Sequence, residues 1–341
     1  MLGGESRPGM KLELRGLTVR YGYGGQALTA VDRADVAVPR GGTLGLVGES
    51  GCGKSTLARA IVGLVPTAGG RLLLDGVDYT EQRKRDALEF RRRVTMVFQD
   101  PYSSLNPRMT VEEMTSEALQ TRGLRSSAQR RMEAARILDM VGLPTSALRR
   151  YPFQFSGGQR QRVAIARALA VGPELIIHDE VTSALDVSVQ ATILNLLREI
   201  QGELGLSYLF ISHDLSTVRF MSDVVAVMYL GRIVETASTD QLFASPAHPY
   251  TNALIASAPE IGGERRPVPV MGELPDPRKP PAGCRFHSRC PIGPMTRQDR
   301  LICIETDPQT MAPTRLHQAA CHFAPTPTAP DVEGPVRVAE H

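Results

Sequence analysis

The sequence predicts an α/β protein, and three observations carry that prediction. Short apolar runs that suit buried strands alternate with segments of helical spacing, as in a mainly parallel sheet covered by helices. One strand-to-helix junction carries the glycine-rich stretch GESGCGKST, residues 48–56. From about 108 to 171 the pattern is helical throughout, so a helical subdomain interrupts the α/β core.

In chain order, residues 1–10 read as a flexible leader. It lacks the apolar stretch of a secretory signal, which places the chain in the cytosol. LELRGLTVRY alternates like a strand, and GGTLGLVG is a short apolar run suited to a buried one. KSTLARAIVGLV has helical spacing and is closed by Pro66. GGRLLLDG and RVTMVFQD are further strands. After the helical stretch come ELIIHD (strand), VSVQATILNLLREIQGEL (helix), SYLFIS and DVVAVMYLG (strands). The main domain is expected over 11–259. Beyond it the chain turns rich in Pro, Gly and Arg, and an extension over 260–324 holds four of the five cysteines. Residues 325–341 read as a disordered tail.

Composition narrows the function. With 42% hydrophobic and 22% charged residues the chain is an ordinary globular protein. No apolar run is long enough to span a membrane. A net charge of +3 is too small to argue for nucleic acid.

GESGCGKST fits G-x-x-x-x-G-K-[ST] through Gly48, Gly53, Lys54 and Ser55, with Ser50, Gly51, Cys52 and Thr56 completing the loop. Glycines let backbone N–H groups close around phosphate oxygens, and the following helix offers its positive end to the same anion. Lys54 reaches the outer phosphates and Ser55 can ligate Mg²⁺. Cys52 reads as a small filler whose thiol points away from the phosphates. ELIIHDE ends a strand in two acids, Asp179 to hold Mg²⁺ and Glu180 to polarise an attacking water. LFISHD ends another strand in His213, suited to the γ-phosphate. FSGGQRQRVAIARAL, residues 155–169, makes a second anion site at a helix start. One nucleotide does not need two such sites in one subunit. Ser156, Gly157 and Gly158 are therefore read as binding the γ-phosphate of ATP held by another subunit.

From about 12 to 258 the chain resembles the ATP-binding cassette (ABC) family. The resemblance implies a P-loop NTPase cassette with a mainly parallel core, an antiparallel β subdomain and a helical subdomain. It implies Walker A at 48–56, a Q-loop at Gln99, and the signature at 155–159 ending in Gln159. It also implies Walker B at 175–179, catalytic Glu180, a D-loop ending in Asp186, and the switch His213. Mg²⁺ would engage Ser55, Gln99 and Asp179, and the adenine would stack on Tyr21, with Tyr23 as competitor. The family usually has Pro after the catalytic Glu. Val181 stands there instead, which puts the rigidity of the Glu180 turn in doubt. His178, where aliphatic or small residues are common, is expected as a neutral packed imidazole.

VFQDPYSSLNPRMTV, SALDVSVQA, MYLGRIVE, HPYTNAL and GCRFHSRCP resemble the oligopeptide/dipeptide/nickel importer subfamily. That implies an ATP-hydrolysing subunit at the cytoplasmic face of a bacterial membrane. Its partners would be a second cassette from a different chain, two permease subunits and, indirectly, an extracytoplasmic solute-binding protein. The groove for a permease coupling helix would follow Gln99. The alternatives are a soluble ABC ATPase acting mechanically on a macromolecule, and an inert nucleotide-binding scaffold, against which Glu180 and His213 argue. For Cys284, Cys290, Cys303 and Cys321, a cytosolic location argues against disulfides and for a metal centre. The subfamily resemblance implies a [4Fe-4S] cluster; Zn²⁺, with His287, His317 or His322 as substitute ligands, and unligated thiols are the alternatives.

Overall fold

The computed structural model describes residues 9–22, 27–81, 87–257, 272–308 and 317–324. The run TLGLV forms strand β3 (Thr43–Val47), buried at every position, as a strand covered on both faces requires. Four more apolar runs, β6 (Val94–Val97), β7 (Leu175–Asp179), β8 (Ser207–Ile211) and β9 (Val224–Tyr229), lie parallel to it in the order β9-β3-β8-β7-β6. β10 (Arg232–Ser238) and β11 (Gln318–Ala319) extend the β9 edge antiparallel. A second, antiparallel sheet has the order β2-β1-β4-β5, from β1 (Met10–Tyr21), β2 (Leu28–Pro39), β4 (Gly69–Leu74) and β5 (Val77–Asp78). The order β3-β8-β7 brings the carboxyl ends of these three strands side by side, where ligands of open parallel sheets bind.

Between β6 and β7 the described chain is helical. The helices Val111–Thr121, Ser127–Met140 and Gly157–Ala170 share a core that includes Met114, Leu119, Ile137, Leu138 and Val163, and the short helix Pro101–Ser104 precedes them. The helix Val111–Thr121 starts where Thr110 and Glu113 exchange side-chain-to-backbone hydrogen bonds, as the sequence order Thr-x-x-Glu dictates.

The structure departs from the sequence reading at the sheet edges. β2 shows no strand pattern in the sequence, because Asp32, Arg33 and Asp35 interrupt its apolar alternation and Arg33 adopts φ 51° at an irregular point of the ladder. β5, β10 and β11 were also missed, β5 and β11 being two residues long. β1 begins at Met10, inside the expected leader. Residues 1–8, Tyr23 and the expected disordered tail from 325 lie outside the described residues.

A charged network joins the two sheets. Lys11 on β1 is 5% exposed and pairs with Asp75 at 2.9 Å and with Glu174. Arg93 reaches Glu174 at 2.8 Å, and also Asp75. Hydrogen bonds from Arg93, then from Lys11, hold the Glu174 carboxyl down to about 2. A depressed acid contributes stability above its unfolded value and loses it as pH falls through the folded one. The window here runs from 4.5 down to about 2. Glu174→Gln should therefore lower the melting temperature at pH 6 and flatten the acid limb of a melting-temperature profile across that window. An unchanged acid limb would show that the pairing contributes nothing.

Candidate nucleotide-binding and hydrolysis site

The loop after β3 turns at Gly48 and Gly53, which adopt φ 153° and 112°. A Cβ at Gly48 would meet the Met228 carbonyl oxygen at 2.1 Å, and one at Gly53 the Ala30 carbonyl oxygen at 2.4 Å. Only glycine fits either position. The helix Lys54–Ile61 follows at once. The Lys54 ammonium, 4% exposed, donates to the carbonyl oxygens of Gly48 (2.7 Å) and Glu49 (3.0 Å) across its own loop. The Cys52 thiol is buried 3.8 Å from that ammonium. Burial raises its pKa above the ordinary thiol value, which keeps the thiol protonated.

At the ends of β7 and β8 the remaining groups converge. The Ser55 hydroxyl donates to Asp179 Oδ1 at 2.9 Å. Asp179 is 2% exposed, and burial raises its pKa, a cost only partly offset by the Ser55 hydrogen bond. A buried carboxylate beside a hydroxyl suits a hard cation such as Mg²⁺, which takes oxygen ligands and is held largely by substrate phosphates and water. Gln99 Nε2 donates to Glu180 Oε2 at 3.1 Å, and His213 Nδ1 lies 3.3 Å from the same oxygen. Gln99, Glu180 and His213 thus form one cluster, although they come from three separate strand ends. Glu180 has φ 50°, a conformation that costs a non-glycine residue of order 1–3 kcal/mol and is typical of functional sites. It is pinned without the usual proline. Its amide donates to the Ile211 carbonyl at 3.0 Å, and its own carbonyl accepts from the Ser183 amide (3.2 Å) and hydroxyl (2.9 Å). Val181 is buried against the core.

A cavity of about 290 Å³ joins these elements, lined by residues 50–56, Gln99, Glu180 and Tyr21. Leu28–Ala30, Leu230, Gly231 and Pro277 line it as well; the sequence reading missed them, and no local pattern marks them. None of 155–159 lines it. Ser156 caps the helix Gly157–Ala170 instead, accepting from the Gln159 amide at 3.4 Å while Gln159 Oε1 accepts from the Ser156 amide at 3.2 Å. Gly158 packs where a Cβ would meet Val189 at 2.6 Å. Asp186 starts the helix Val187–Leu204 behind it.

His178 is fully buried. It meets Tyr208 edge-on with ring centroids 4.6 Å apart, and neither ring nitrogen has a hydrogen-bond partner. Burial pushes its pKa down to about 3, so the imidazole is neutral and packed, as expected. Two unsatisfied buried nitrogens make it a liability. His178→Leu should raise stability by about 1 kcal/mol and the melting temperature by roughly 2 °C. The gain should grow below pH 6.5, where the unfolded histidine takes up a proton that the folded one refuses. An unchanged or lower melting temperature would mean that the ring's packing outweighs its unmet polarity.

The four C-terminal cysteines border one small cavity. The Cys284 amide donates to the Cys303 carbonyl at 2.8 Å. Gly283, at φ 63°, allows that approach, since a Cβ there would meet the same carbonyl at 2.5 Å. Burial pushes the Cys284 thiol up to about 12 and the Cys290 thiol up to about 11. Among the described residues, no three His, Cys, Asp or Glu side chains are gathered so as to hold a metal ion. The expected metal on Cys284, Cys290, Cys303 and Cys321 thus finds no support there. His317 does not stand in for a thiolate; its Nε2 lies 2.6 Å from Glu235.

A phosphate loop after β3, paired acids after β7 and a histidine after β8 define a P-loop nucleoside triphosphatase. Comparison with known proteins narrows the class. The family description ABC transporter matches residues 31–183, and oligopeptide/dipeptide transporter, C-terminal region, matches residues 234–294. The chain is 53% identical over 265 residues to a probable peptide ABC transporter ATP-binding protein of Sinorhizobium fredii, covering 77% of this chain and 75% of the relative. It is 45% identical over 301 residues to the oligopeptide transport ATP-binding protein AppF of Bacillus subtilis, covering 86% and 89%. Among solved structures, it is similar to the dimeric cassette MJ0796 bound to ADP and phosphate, with TM-score 0.61, 30% identity, and 67% of this chain and 98% of the other covered. The chain belongs to the ATP-binding subunits of ABC transporters, in the oligopeptide/dipeptide branch. It is an ATPase.

Proposed function

We propose that the chain is the ATP-hydrolysing subunit of an importer of oligopeptides or dipeptides. The observation that carries this reading is the convergence of Gln99, His213 and Glu180 beside the phosphate loop, in a chain whose relatives are peptide-transport ATP-binding proteins. ATP would lie in the cavity with its base toward Tyr21 and its phosphates on the amides of residues 50–56. Mg²⁺, held by Ser55 and Asp179, would supply charge neutralisation at the phosphates. Glu180 would orient and polarise the attacking water, with His213 and Gln99 placing its carboxylate. A second cassette would complete the site with Ser156–Gln159.

Among the described residues no helix is long and apolar enough to cross a membrane; the proposed partners in the membrane are two permease subunits. A groove of about 410 Å³ lies between the α/β core and the helical subdomain. Its lining includes Leu64, Phe98 and Met114 together with Arg91 and Arg167, a mixture suited to an amphipathic permease helix at the cytoplasmic face of the membrane. A soluble mechanical factor has no need of the transporter-type C-terminal region. Reconstitution with its permeases and binding protein tests the proposal: peptide-loaded binding protein should stimulate ATP hydrolysis and drive peptide uptake. Peptide-independent hydrolysis with no uptake would overturn it.

A [4Fe-4S] cluster on the four cysteines is also proposed. What speaks for it is only that the four cysteines border one cavity; at about 10 Å³ that cavity is far smaller than a cluster, so the segment would have to open to take one. Colourless protein after anaerobic purification would exclude it.

A further inference from the structure

We infer that Arg289, in the cysteine-bearing extension, is a positioning residue of the ATP site, holding and neutralising Glu49 at the start of the phosphate-binding loop. The inference rests on residues 48–56 being the nucleotide site.

Glu49 follows Gly48 directly, and its three polar groups are held from three parts of the chain. Its amide donates to the Tyr250 hydroxyl at 2.9 Å, and its carbonyl accepts from the Lys54 ammonium at 3.0 Å. Its carboxylate accepts two parallel bonds from the Arg289 guanidinium, at 2.9 and 2.8 Å. This fork-to-fork pairing fixes direction as well as distance, which a lysine cannot do. The Arg289 side chain is 5% exposed and that of Glu49 24%, so the guanidinium is buried and the carboxylate half-buried. Arg289 also lies over the Tyr229 ring, 5.8 Å from its centroid. Tyr229 packs in turn against Tyr250 and the extension's Phe286, with centroids 4.6 and 5.3 Å away.

Arg285, four residues earlier, supplies a second tether. It donates to the Leu230 carbonyl and to Asp32. The adjoining Gly231 amide donates to the Cys52 carbonyl at 2.8 Å. The extension therefore grips the loop at its start through Arg289 and near its middle through the turn between β9 and β10. Charge gives the first grip its consequence. Glu49 is an acid beside a site for a polyanion, and an unpaired carboxylate there opposes phosphate binding. Arg289 removes that opposition from a distance of 240 residues in sequence.

The test is steady-state hydrolysis by the full-length chain with Mg-ATP as the titrant. Arg289→Ala should raise KM for ATP about tenfold, the loss of one charge-assisted pair, with kcat within about twofold. Arg289→Lys should give a smaller rise. Adding Glu49→Gln should return KM toward the wild-type value in either background, because the unpaired carboxylate is then gone; a merely structural role for Arg289 would show no such relief. Asp307→Asn loosens another clamp of the extension, to Arg232 and Arg33, and should leave KM unchanged. Should the alanine variant fold poorly, the lysine variant with and without Glu49→Gln carries the same comparison. An unchanged KM in Arg289→Ala, a defect that Glu49→Gln does not relieve, or an equal rise in Asp307→Asn would overturn the inference. In each case wild-type ATP binding would still stand. A wild-type chain that binds no ATP would overturn the site itself, and the inference with it.

Discussion

Glu180→Gln should lower ATP hydrolysis by about 10²- to 10⁴-fold while leaving ATP binding intact. The amide keeps the size of the carboxylate and can still accept from Gln99, which now donates to Glu180 Oε2 at 3.1 Å. What it loses is the negative charge that polarises a water and accepts its proton. The backbone contributes to the size of the effect. Glu180 is fixed at φ 50° by the Ile211 carbonyl and by Ser183, so a neighbouring acid cannot swing into its place. Asp179 is buried and committed to Ser55. The ATP-bound pair of cassettes should accumulate in the variant, because closure is undone by hydrolysis. The checks are a nucleotide-binding titration, a turnover assay and sizing in the presence of Mg-ATP. Turnover within tenfold of wild type would assign the base to another residue.

The parts of this site that were legible in the sequence are those in which one local pattern sets one position. The continuous apolar runs of β3, β7 and β8 could only be buried strands, and the residue that ends each run had to emerge at the same sheet edge once the strands were parallel. That argument brings Asp179, Glu180 and His213 to neighbouring strand ends, and the structure has Glu180 and His213 in contact there. β2 was hidden because charged residues break its alternation where the ladder is irregular, and its contribution to the cavity at Leu28–Ala30 was hidden with it. Pro277 and Arg289 were illegible for a different reason. Their roles depend on where a segment more than 200 residues away docks on the phosphate loop, and nothing in their immediate neighbourhood encodes that. The doubt raised by Val181 was sound on local grounds, since a proline would have restricted the chain. It is resolved by hydrogen bonds to Ser183 and β8 that only the folded chain brings together.

Ser156→Arg should cut ATP hydrolysis by roughly 10²- to 10³-fold, the scale seen when an anion-stabilising donor is removed, and leave ATP affinity of the isolated chain unchanged. Ser156 caps the helix Gly157–Ala170, whose N-terminal end is exposed and lies outside the chain's own nucleotide cavity, which none of 155–159 lines. Such an end binds anions, and the anion it is proposed to meet is the γ-phosphate on a partner cassette. The substitution removes the cap, at about 1 kcal/mol, and puts a long side chain where the partner's phosphate would approach. The helix should survive that loss, since Val163, Ile165 and Ala166 anchor it in the core. Loss of activity with intact binding is therefore the expected signature of a site shared between two subunits. Mixing the variant with Glu180→Gln chains sharpens the test for pairs that the chain forms with itself. In mixed pairs, one of the two composite sites carries both lesions and the other neither, so hydrolysis should partly recover if the signature acts across the interface. Binding that collapses in the isolated Ser156→Arg chain would show that the signature serves its own subunit's nucleotide.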